Sequence, residues 1–337
     1  MKKVLIFGAG SIGNHMSYAC SKLGYSVYVT DIDPNALLKM KNKIFPKRYK
    51  KWKKNIKLTL TKDLFSTKEK FDLIIIGTPP GSHLYLYNFC KKNLKFDKLL
   101  IEKPLCVHTQ NFNNINFDYD KNFCGYNHSI SQSFLYLQKL IKKEKPSKIS
   151  SIEIDWKEGW FGILNAHFWM KSEFDSYLGN LKDGGGALHE HSHGLHLLTV
   201  ILKDLNIDIN KISFNKEIIF KKKKSKKYDC YDSFIAYHKN TIIKYETDLL
   251  TYPSKKEIRI NYKNKCIIWK CNFKINTDSV EVIDKKSTFF KLFKKTRSSE
   301  FENEIKYILS NKNLKNSNLN INYSVKTMKC IRTFLKK

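Results

Sequence analysis

Residues 4–7 form an unbroken apolar run, as expected of a strand buried on both faces, and residues 11–23 can form the helix that follows. A second strand is predicted at 26–30, with a helix over 34–45 after the Asp31 and Asp33 turn. Short apolar strands recur at 71–76, 99–101 and 123–126, with a helix at about 83–92. The prolines at 79 and 80 stop one strand and open the next helix. Each strand ends in polar or turn-forming residues. In an open α/β sheet the carboxyl ends of the strands are where ligands bind, so four strand ends are expected to face one crevice.

The pattern changes after residue 129. A helix at 132–143 leads to an alternating strand at 149–156, then to an aromatic-rich segment ending at 177. From 211 onward the chain reads as antiparallel strands at 212–220, 228–237, 241–249, 257–262 and 266–271, joined by tight polar turns such as 238–240 and 263–265. Helices at about 300–309 and 323–335 close the chain, separated by an Asn/Lys/Ser stretch at 311–320 that reads as a mobile linker. The expected domains are 1–128 and 129–337, with the closing helix packing back on the first.

At 337 residues the chain can bury two cores. It has neither an apolar run of 18 residues nor a signal-peptide pattern, so the expectation is a cytoplasmic protein with no membrane span. The eight cysteines are scattered, without a C-x-x-C, and are expected to be free thiols. A formal charge of +31 ordinarily suggests nucleic acid or an anionic surface. Here it accompanies a chain rich in Lys, Asn, Ile, Phe and Tyr together, the mix that A/T-rich codons produce. No nucleic-acid partner is therefore expected. The two lysine clusters, at 47–54 and 221–227, read as solvated loops or edges, or as attractors for an anionic substrate or membrane surface.

Chemistry concentrates in two stretches. The first is Gly8-Ala-Gly10-Ser11-Ile12-Gly13, a G-x-G-x-x-G between a strand and a helix. Its glycines allow a tight turn, close approach of the backbone to a pyrophosphate, and close packing of helix on strand. The helix N-terminus then faces the anion. Asp31, at the end of the second strand, can accept the ribose hydroxyls of an adenosine, and no Arg or Lys adjoins it to receive a 2′-phosphate. NAD(H) is therefore expected over NADP(H).

The second stretch is 184–196, three glycines followed by Glu190 and histidines at 189, 191, 193 and 196. On one helix, Glu190, His193 and His196 share a face. A carboxylate beside an imidazole suits proton transfer near neutral pH. A metal site and a helix of merely hydrogen-bonded histidines are the competing readings. His189 and His191 are individually assigned to the structural one. The three glycines are expected to let the segment pass close to a nicotinamide.

Together with Thr78-Pro79-x-x-x-His83 and Glu102-Lys103-Pro104, these stretches resemble the Gfo/Idh/MocA oxidoreductases, the glucose–fructose oxidoreductase and inositol dehydrogenase type. The resemblance covers most of the chain. It implies an α/β fold: an N-terminal Rossmann parallel sheet, then an α/β domain with a large, mostly antiparallel open sheet. It implies hydride transfer between a nicotinamide and a carbon of a sugar, nucleotide-linked sugar or cyclitol, in a homodimer or homotetramer built on the open sheet face. Lys103, Glu190 and His193 fall on the catalytic positions. Gly8, Gly10, Ser11, Ile12, Gly13, Asp31, Thr78, Pro79, His83, Glu102 and Lys103 fall on the cofactor positions. The nicotinamide is expected between Lys103 and the histidine helix, with Tyr126, Asn127, Trp169 and His196 as substrate contacts and no metal. The pattern departs from the family at Pro80, His128 and His196. The departures at His128 and His196 favour the alternative of a catalytically silent NAD-binding regulatory or scaffold protein.

Overall fold

A computed structural model describes residues 1–144, 148–167, 169–310 and 313–336. The chain opens as β1 (Lys3–Phe7), α1 (Ser11–Lys22), β2 (Ser26–Asp31), α2 (Pro34–Lys39), α3 (Phe45–Tyr49), β3 (Ile56–Leu60), β4 (Lys70–Ile76), α4 (His83–Asn93), β5 (Lys95–Ile101) and β6 (Asn122–Cys124). The six strands form one all-parallel sheet in the order β3-β2-β1-β4-β5-β6. Val4, Leu5, Ile6, Ile74, Ile75, Ile76, Leu99, Leu100 and Ile101 are fully buried, which is why the central strands read as continuous apolar runs. The strand order reverses beside β1, so the glycine-rich turn sits at the topological switch point.

The next stretch contains α5 (Gln132–Lys142), β7 (Ile149–Lys157), α6 (Trp160–Ala166), α7 (Ala187–Glu190) and α8 (Ser192–Asp204). Seven strands follow: β8 (Phe214–Lys223), β9 (Lys226–His238), β10 (Thr241–Asp248), β11 (Lys255–Tyr262), β12 (Lys265–Lys274), β13 (Thr277–Asp284) and β14 (Thr288–Lys294). They join β7 in an eight-stranded sheet, β14-β13-β12-β11-β7-β10-β9-β8, antiparallel except for the β7–β10 pair. Helices α9 (Arg297–Ser310) and α10 (Ile321–Leu335) end the chain.

Two compact units result: Met1–Cys106 with Gln110–Asn127 and Arg297–Asn322, and Val107–Thr109 with His128–Thr296 and Tyr323–Lys337. It is α9, not α10, that joins the first unit. Phe301 of α9 stacks on His15 of α1, and Glu302 pairs with Lys22 at 2.9 Å. From Tyr323 on, α10 belongs to the second unit, where Phe334 packs on Phe214 and Phe234.

Several local expectations are corrected. The helix over 34–45 breaks into α2, a π-helical turn at Met40–Ile44, and α3. Pro46, which has no N–H to donate, follows that turn. Residues 313–320 are not a loose linker. Leu314 and Leu319 are buried, the Cys124 N–H donates to the Leu319 carbonyl, and Asn320 donates to the Tyr119 carbonyl. Asn311 and Lys312 lie outside the described residues. The lysine run at 221–227 is the tip of the β8–β9 hairpin, where charge on an edge strand discourages further pairing. All eight cysteines are free, and no described helix is long and apolar enough to cross a membrane.

Candidate active site

In the first unit, the three glycines of the turn do different work. Gly8 has φ +99°, and a Cβ there would lie 2.9 Å from the Gly77 carbonyl oxygen. A Cβ on Gly13 would lie 1.8 Å from the Gly8 carbonyl, so this glycine is demanded by the packing of α1 on the turn. Gly10 is different. Its φ is an ordinary −79°, and an added Cβ would meet nothing within 4 Å. The space it leaves is open. Gly10 is also the N-cap of α1, with no side chain capping the helix and no acid in its first turn. An open cradle over uncapped N–H groups fits a dinucleotide pyrophosphate.

The loops around that turn are tied together. Asp31 accepts the Ala9 N–H at 2.8 Å through one carboxylate oxygen and the Asp33 N–H at 3.0 Å through the other. Ser11 and Ile12 open α1 half-buried, and Ile12 packs beside Gly77. Thr78 lies against Gly8 and shares a 2.7 Å hydrogen bond with Ser82, whose hydroxyl also donates to the Pro79 carbonyl. His83 is sealed, with its ring nitrogens 3.0 Å from the Pro104 carbonyl and 2.8 Å from the Thr78 carbonyl. It stitches the loop after β4 to the loop after β5. Burial lowers its pKa, and the neutral ring can donate to one of these carbonyls at a time. The sealed ring is a strut between these two loops, with no exposed surface of its own.

Glu102 lies beneath Gly125, where a Cβ would fall 2.8 Å from its carboxylate. Burial pushes its pKa up to about 7, against the opposing pull of the Lys103 charge and N–H. Lys103 itself is half-buried. Tyr126 is fully buried among the core aromatics of this unit. The buried Asn127 Oδ1 has no partner among the described residues.

Arg48 is the residue that sequence reasoning missed. It lies in the basic run at 47–54 but folds onto the start of α1, its guanidinium reaching the Ser11 carbonyl at 3.1 Å and the Ser11 hydroxyl at 3.0 Å. The signal was hidden because an arginine among lysines reads as solvated surface.

In the second unit, residues 184–196 do not form one helix. The chain turns at His191 (φ −95°, ψ 19°), so Glu190 closes α7 while His193 lies in the first turn of α8. The single shared face expected of Glu190, His193 and His196 is thus interrupted. His193 is half-buried, with its ring edge-on to His128 at 4.7 Å and tilted against Trp156 at 6.0 Å. A Cβ on Gly194 would fall 2.6 Å from the Trp156 Cβ, so this glycine seats α8 on Trp156. Behind His193, His128 Nδ1 lies 3.8 Å from Cys271 Sγ, and Lys295 reaches that sulfur at 3.4 Å.

The remaining histidines are structural. His189 Nδ1 faces the Gly185 carbonyl, and its Nε2 accepts the His108 N–H. His191 Nε2 faces the Glu158 carbonyl at 3.2 Å. His196 is fully buried, 3.3 Å from the Thr327 hydroxyl and edge-on to Tyr323. A sealed ring offers a substrate no surface, which corrects its expected role. Trp169 packs on an apolar cluster with Ile163, Met170 and Leu178, the ordinary place of a core tryptophan.

The glycines here also depart from expectation. Gly184 and Gly186 have φ +88° and +93°. A Cβ on Gly185 would lie 2.2 Å from the Leu178 carbonyl, and one on Gly186 would lie 1.9 Å from the Asp229 carboxylate. The protein's own atoms fill these gaps, so they are not room left for a nicotinamide. Among the described residues no group of three His, Cys, Asp or Glu side chains is arranged to hold a metal ion.

No family model and no curated sequence matches the chain. Solved structures do resemble it. KijD10, a 3-ketoreductase from Actinomadura kijaniata in complex with NADP and TDP-benzene, is similar at a TM-score of 0.67 and 9% identity, over 97% of this chain and 94% of that one. An oxidoreductase from Agrobacterium radiobacter in complex with NAD+, L-tartaric acid and magnesium has a TM-score of 0.67 at 12% identity, over 97% and 93%. The UDP-N-acetylglucosamine 3-dehydrogenase GnnA from Acidithiobacillus ferrooxidans has a TM-score of 0.64 at 11% identity, over 98% and 96%. Likeness at such identities is a likeness of fold: this chain shares the two-sheet α/β architecture of these oxidoreductases over nearly its whole length.

Proposed function

We propose that this chain is a nicotinamide-dinucleotide oxidoreductase acting on a CH–OH carbon of a sugar or nucleotide-linked sugar. The observation that carries the proposal is Gly10, a glycine with no backbone or packing requirement, set over the uncapped start of α1. The fold shared with a ketoreductase and a nucleotide-sugar dehydrogenase supports the substrate class. Gly8, Gly10, Ser11, Ile12 and Gly13 would hold the pyrophosphate. Asp31 keeps acceptor capacity beyond its two backbone bonds for the adenosine ribose, and its charge would repel a 2′-phosphate, so NAD(H) is preferred over NADP(H). Thr78, Pro79 and Glu102 shape the loops beside it, and His83 fixes them.

A bound nicotinamide supplies the acceptor, or in reverse the donor, of a hydride. His193 takes the hydroxyl proton as the carbonyl forms and returns it in the opposite direction. Glu190 orients that proton transfer. Lys103 stabilises the negative charge that develops on the substrate oxygen. Tyr126, packed in the core, supports the turn that carries Asn127, and Asn127 Oδ1 is the substrate contact we favour there. Self-association through the uncovered sheet face belongs to the same reading: Ile235, Tyr237 and Ile242 share one face of β9 and β10 and are exposed. The test is a panel of nucleotide sugars and free sugars with NAD+ and NADP+, read as reduced-cofactor absorbance, and the reverse with keto sugars. Binding of NADH without turnover of any member would favour the silent regulatory protein, for which the unusual His128 and His196 speak.

A further inference from the structure

Below the turn that carries Glu190, the second unit buries two carboxyl groups that the proposed reaction does not use. Asp229 and Asp232 lie on β9 and are both fully buried. Three residues apart, they would point to opposite faces of a regular strand. The β8–β9 register shifts between Ile219, opposite Tyr231, and Phe220, opposite Asp229. This bulge absorbs Cys230 and turns both aspartates to the same side.

Their surroundings separate their roles. Asp229 Oδ2 accepts the Leu188 N–H of α7 at 2.8 Å, and its Oδ1 fills the place that a Gly186 Cβ would need. Asp229 Oδ1 and both Asp232 carboxyl oxygens are buried with no hydrogen-bond donor among the described residues. Two adjacent carboxylates cannot both ionise in a dry interior. We propose that Asp229 and Asp232 form one acid pair sharing a single proton, and that Asp229, through Leu188, is the positioning residue for the turn that presents Glu190 and His193.

The proton resides on Asp232, which donates to Asp229, because only Asp229 has backbone N–H groups to stabilise its charge. Burial raises both pKa values, that of Asp232 further through its charged neighbour, whereas the Leu188 and Ala187 N–H groups pull that of Asp229 back. The other titratable groups at the pair are Cys230 on the same strand and Tyr245 on the adjacent one. Cys330 lies beyond Tyr245, and Lys221 and Asp248 reach Cys230. His189, on the helix packed against β9, has its ring nitrogens at the Gly185 carbonyl and the His108 N–H.

The positioning role rests on the proposed acid–base function of His193, and the proton sharing does not. The experiment therefore has two arms, on the full chain and on the Asp229→Asn and Asp232→Asn variants. In the first arm, infrared spectra at pH 7.5 are expected to contain the carbonyl stretch of a buried protonated carboxyl that Asp232→Asn removes. Amide exchange at Leu188 is expected to quicken in Asp229→Asn and to stay slow in Asp232→Asn. A wild-type spectrum without that band, or Leu188 exchange unchanged in Asp229→Asn, overturns the pair whether or not a substrate is known. In the second arm, Asp229→Asn is expected to slow hydride transfer by about 100-fold, the scale of a displaced catalytic group, with NADH affinity unchanged. Asp232→Asn keeps a permanent donor to Asp229 where the wild type loses the shared proton as pH rises, so it is expected to retain the rate and to move the alkaline limb of the pH profile upward. Full activity in Asp229→Asn, or an unmoved alkaline limb in Asp232→Asn, overturns the positioning role alone. If Asp229→Asn fails to fold, Asp232→Asn decides through its band and its limb.

Discussion

The turn at residues 8–13 and the turn at residues 184–186 are both glycine-rich, both open a helix, and differ in what their missing side chains make room for. In the second turn the gaps at Gly185 and Gly186 are filled by the protein itself, by the Leu178 carbonyl and the Asp229 carboxylate. In the first turn Gly8 and Gly13 are likewise consumed by packing, and Gly10 alone faces open space. A glycine is therefore a pointer to a ligand only after the local reasons for it have been removed. By that standard the first turn leaves room for something outside the chain, and the second holds its own helix in place.

The sharpest way to separate the two regions is to strike the chemistry behind one and the cradle of the other. His193→Ala is expected to lower single-turnover hydride transfer by roughly 100- to 10,000-fold, the span for a lost acid–base group, while NADH affinity stays unchanged. Lys103→Ala is expected to cost about 100-fold if it stabilises charge on the substrate oxygen. His196→Ala is the control. As a sealed side chain bonded to Thr327 it should lower stability more than rate. Loss of chemistry in His196→Ala with activity retained in His193→Ala would reverse the assignment.

Next in size is the contrast between the glycines themselves. Gly10→Val places atoms where the protein has none, so it should leave the urea midpoint untouched and weaken NADH binding by about 100-fold or more, as expected when a close backbone approach is blocked. Gly186→Ala should do the reverse. It has φ +93° and would put a Cβ 1.9 Å from a carboxylate oxygen, a combination expected to cost about 3 kcal/mol of stability in urea titrations. If Gly10→Val unfolds the protein, or Gly186→Ala is silent in stability, the distinction between the turns fails.

Much of this was legible in the sequence because the first unit follows local rules. Runs such as residues 4–7 and 71–76 announce a sheet buried on both faces, and the glycines and Asp31 stand at fixed offsets from their strands. Less legible was whatever depends on tertiary partners. The β13 and β14 strands were missed, and the exposed edge strand β14 buries almost nothing that would set a period. The break at His191 is marked by no proline in the sequence and accompanies tertiary seats, those taken by Gly186 beside Asp229 and Gly194 beside Trp156. The histidines show the same limit. Four in eight residues look like a reactive cluster, yet His189, His191 and His196 each hold a backbone or hydroxyl partner in the second unit.

A smaller effect tests the first turn from outside. Arg48 holds the Ser11 carbonyl and hydroxyl at the mouth of the cradle. In the proposed complex a guanidinium there would add a charge-assisted contact to a dinucleotide phosphate, so Arg48→Ala should weaken NADH binding by about 10-fold, with the loss shrinking as salt rises. Comparison with NADPH distinguishes the phosphate involved. An equal loss for both cofactors assigns Arg48 to the pyrophosphate, and a larger loss for NADPH assigns it to a 2′-phosphate and counts against the preference drawn from Asp31.

The smallest expected effect concerns how each unit treats a buried acid. Asp229 is capped by a backbone N–H, whereas the fully buried Glu304 of α9 has neither carboxylate oxygen partnered among the described residues. Burial, reinforced by the Glu102 and Glu300 charges, raises the Glu304 pKa, and burial raises that of Glu102 to about 7. Both groups sit nearer 4.3 in an unfolded chain. The folded state therefore binds more protons than the unfolded one between about pH 4 and pH 7, and stability falls as pH rises through that window. The contribution is complete below the unfolded value and lost above the folded one. Glu304→Gln is uncharged at every pH and keeps the volume, so the decline should be shallower in this variant. Its melting temperature at pH 8 should exceed that of the wild type by roughly 2–4 °C. The measurement is a set of thermal melts from pH 5 to pH 8. A wild-type curve that instead gains stability across this range would mean that Glu304 is ionised and paired in the folded protein, and the contrast with Asp229 would disappear.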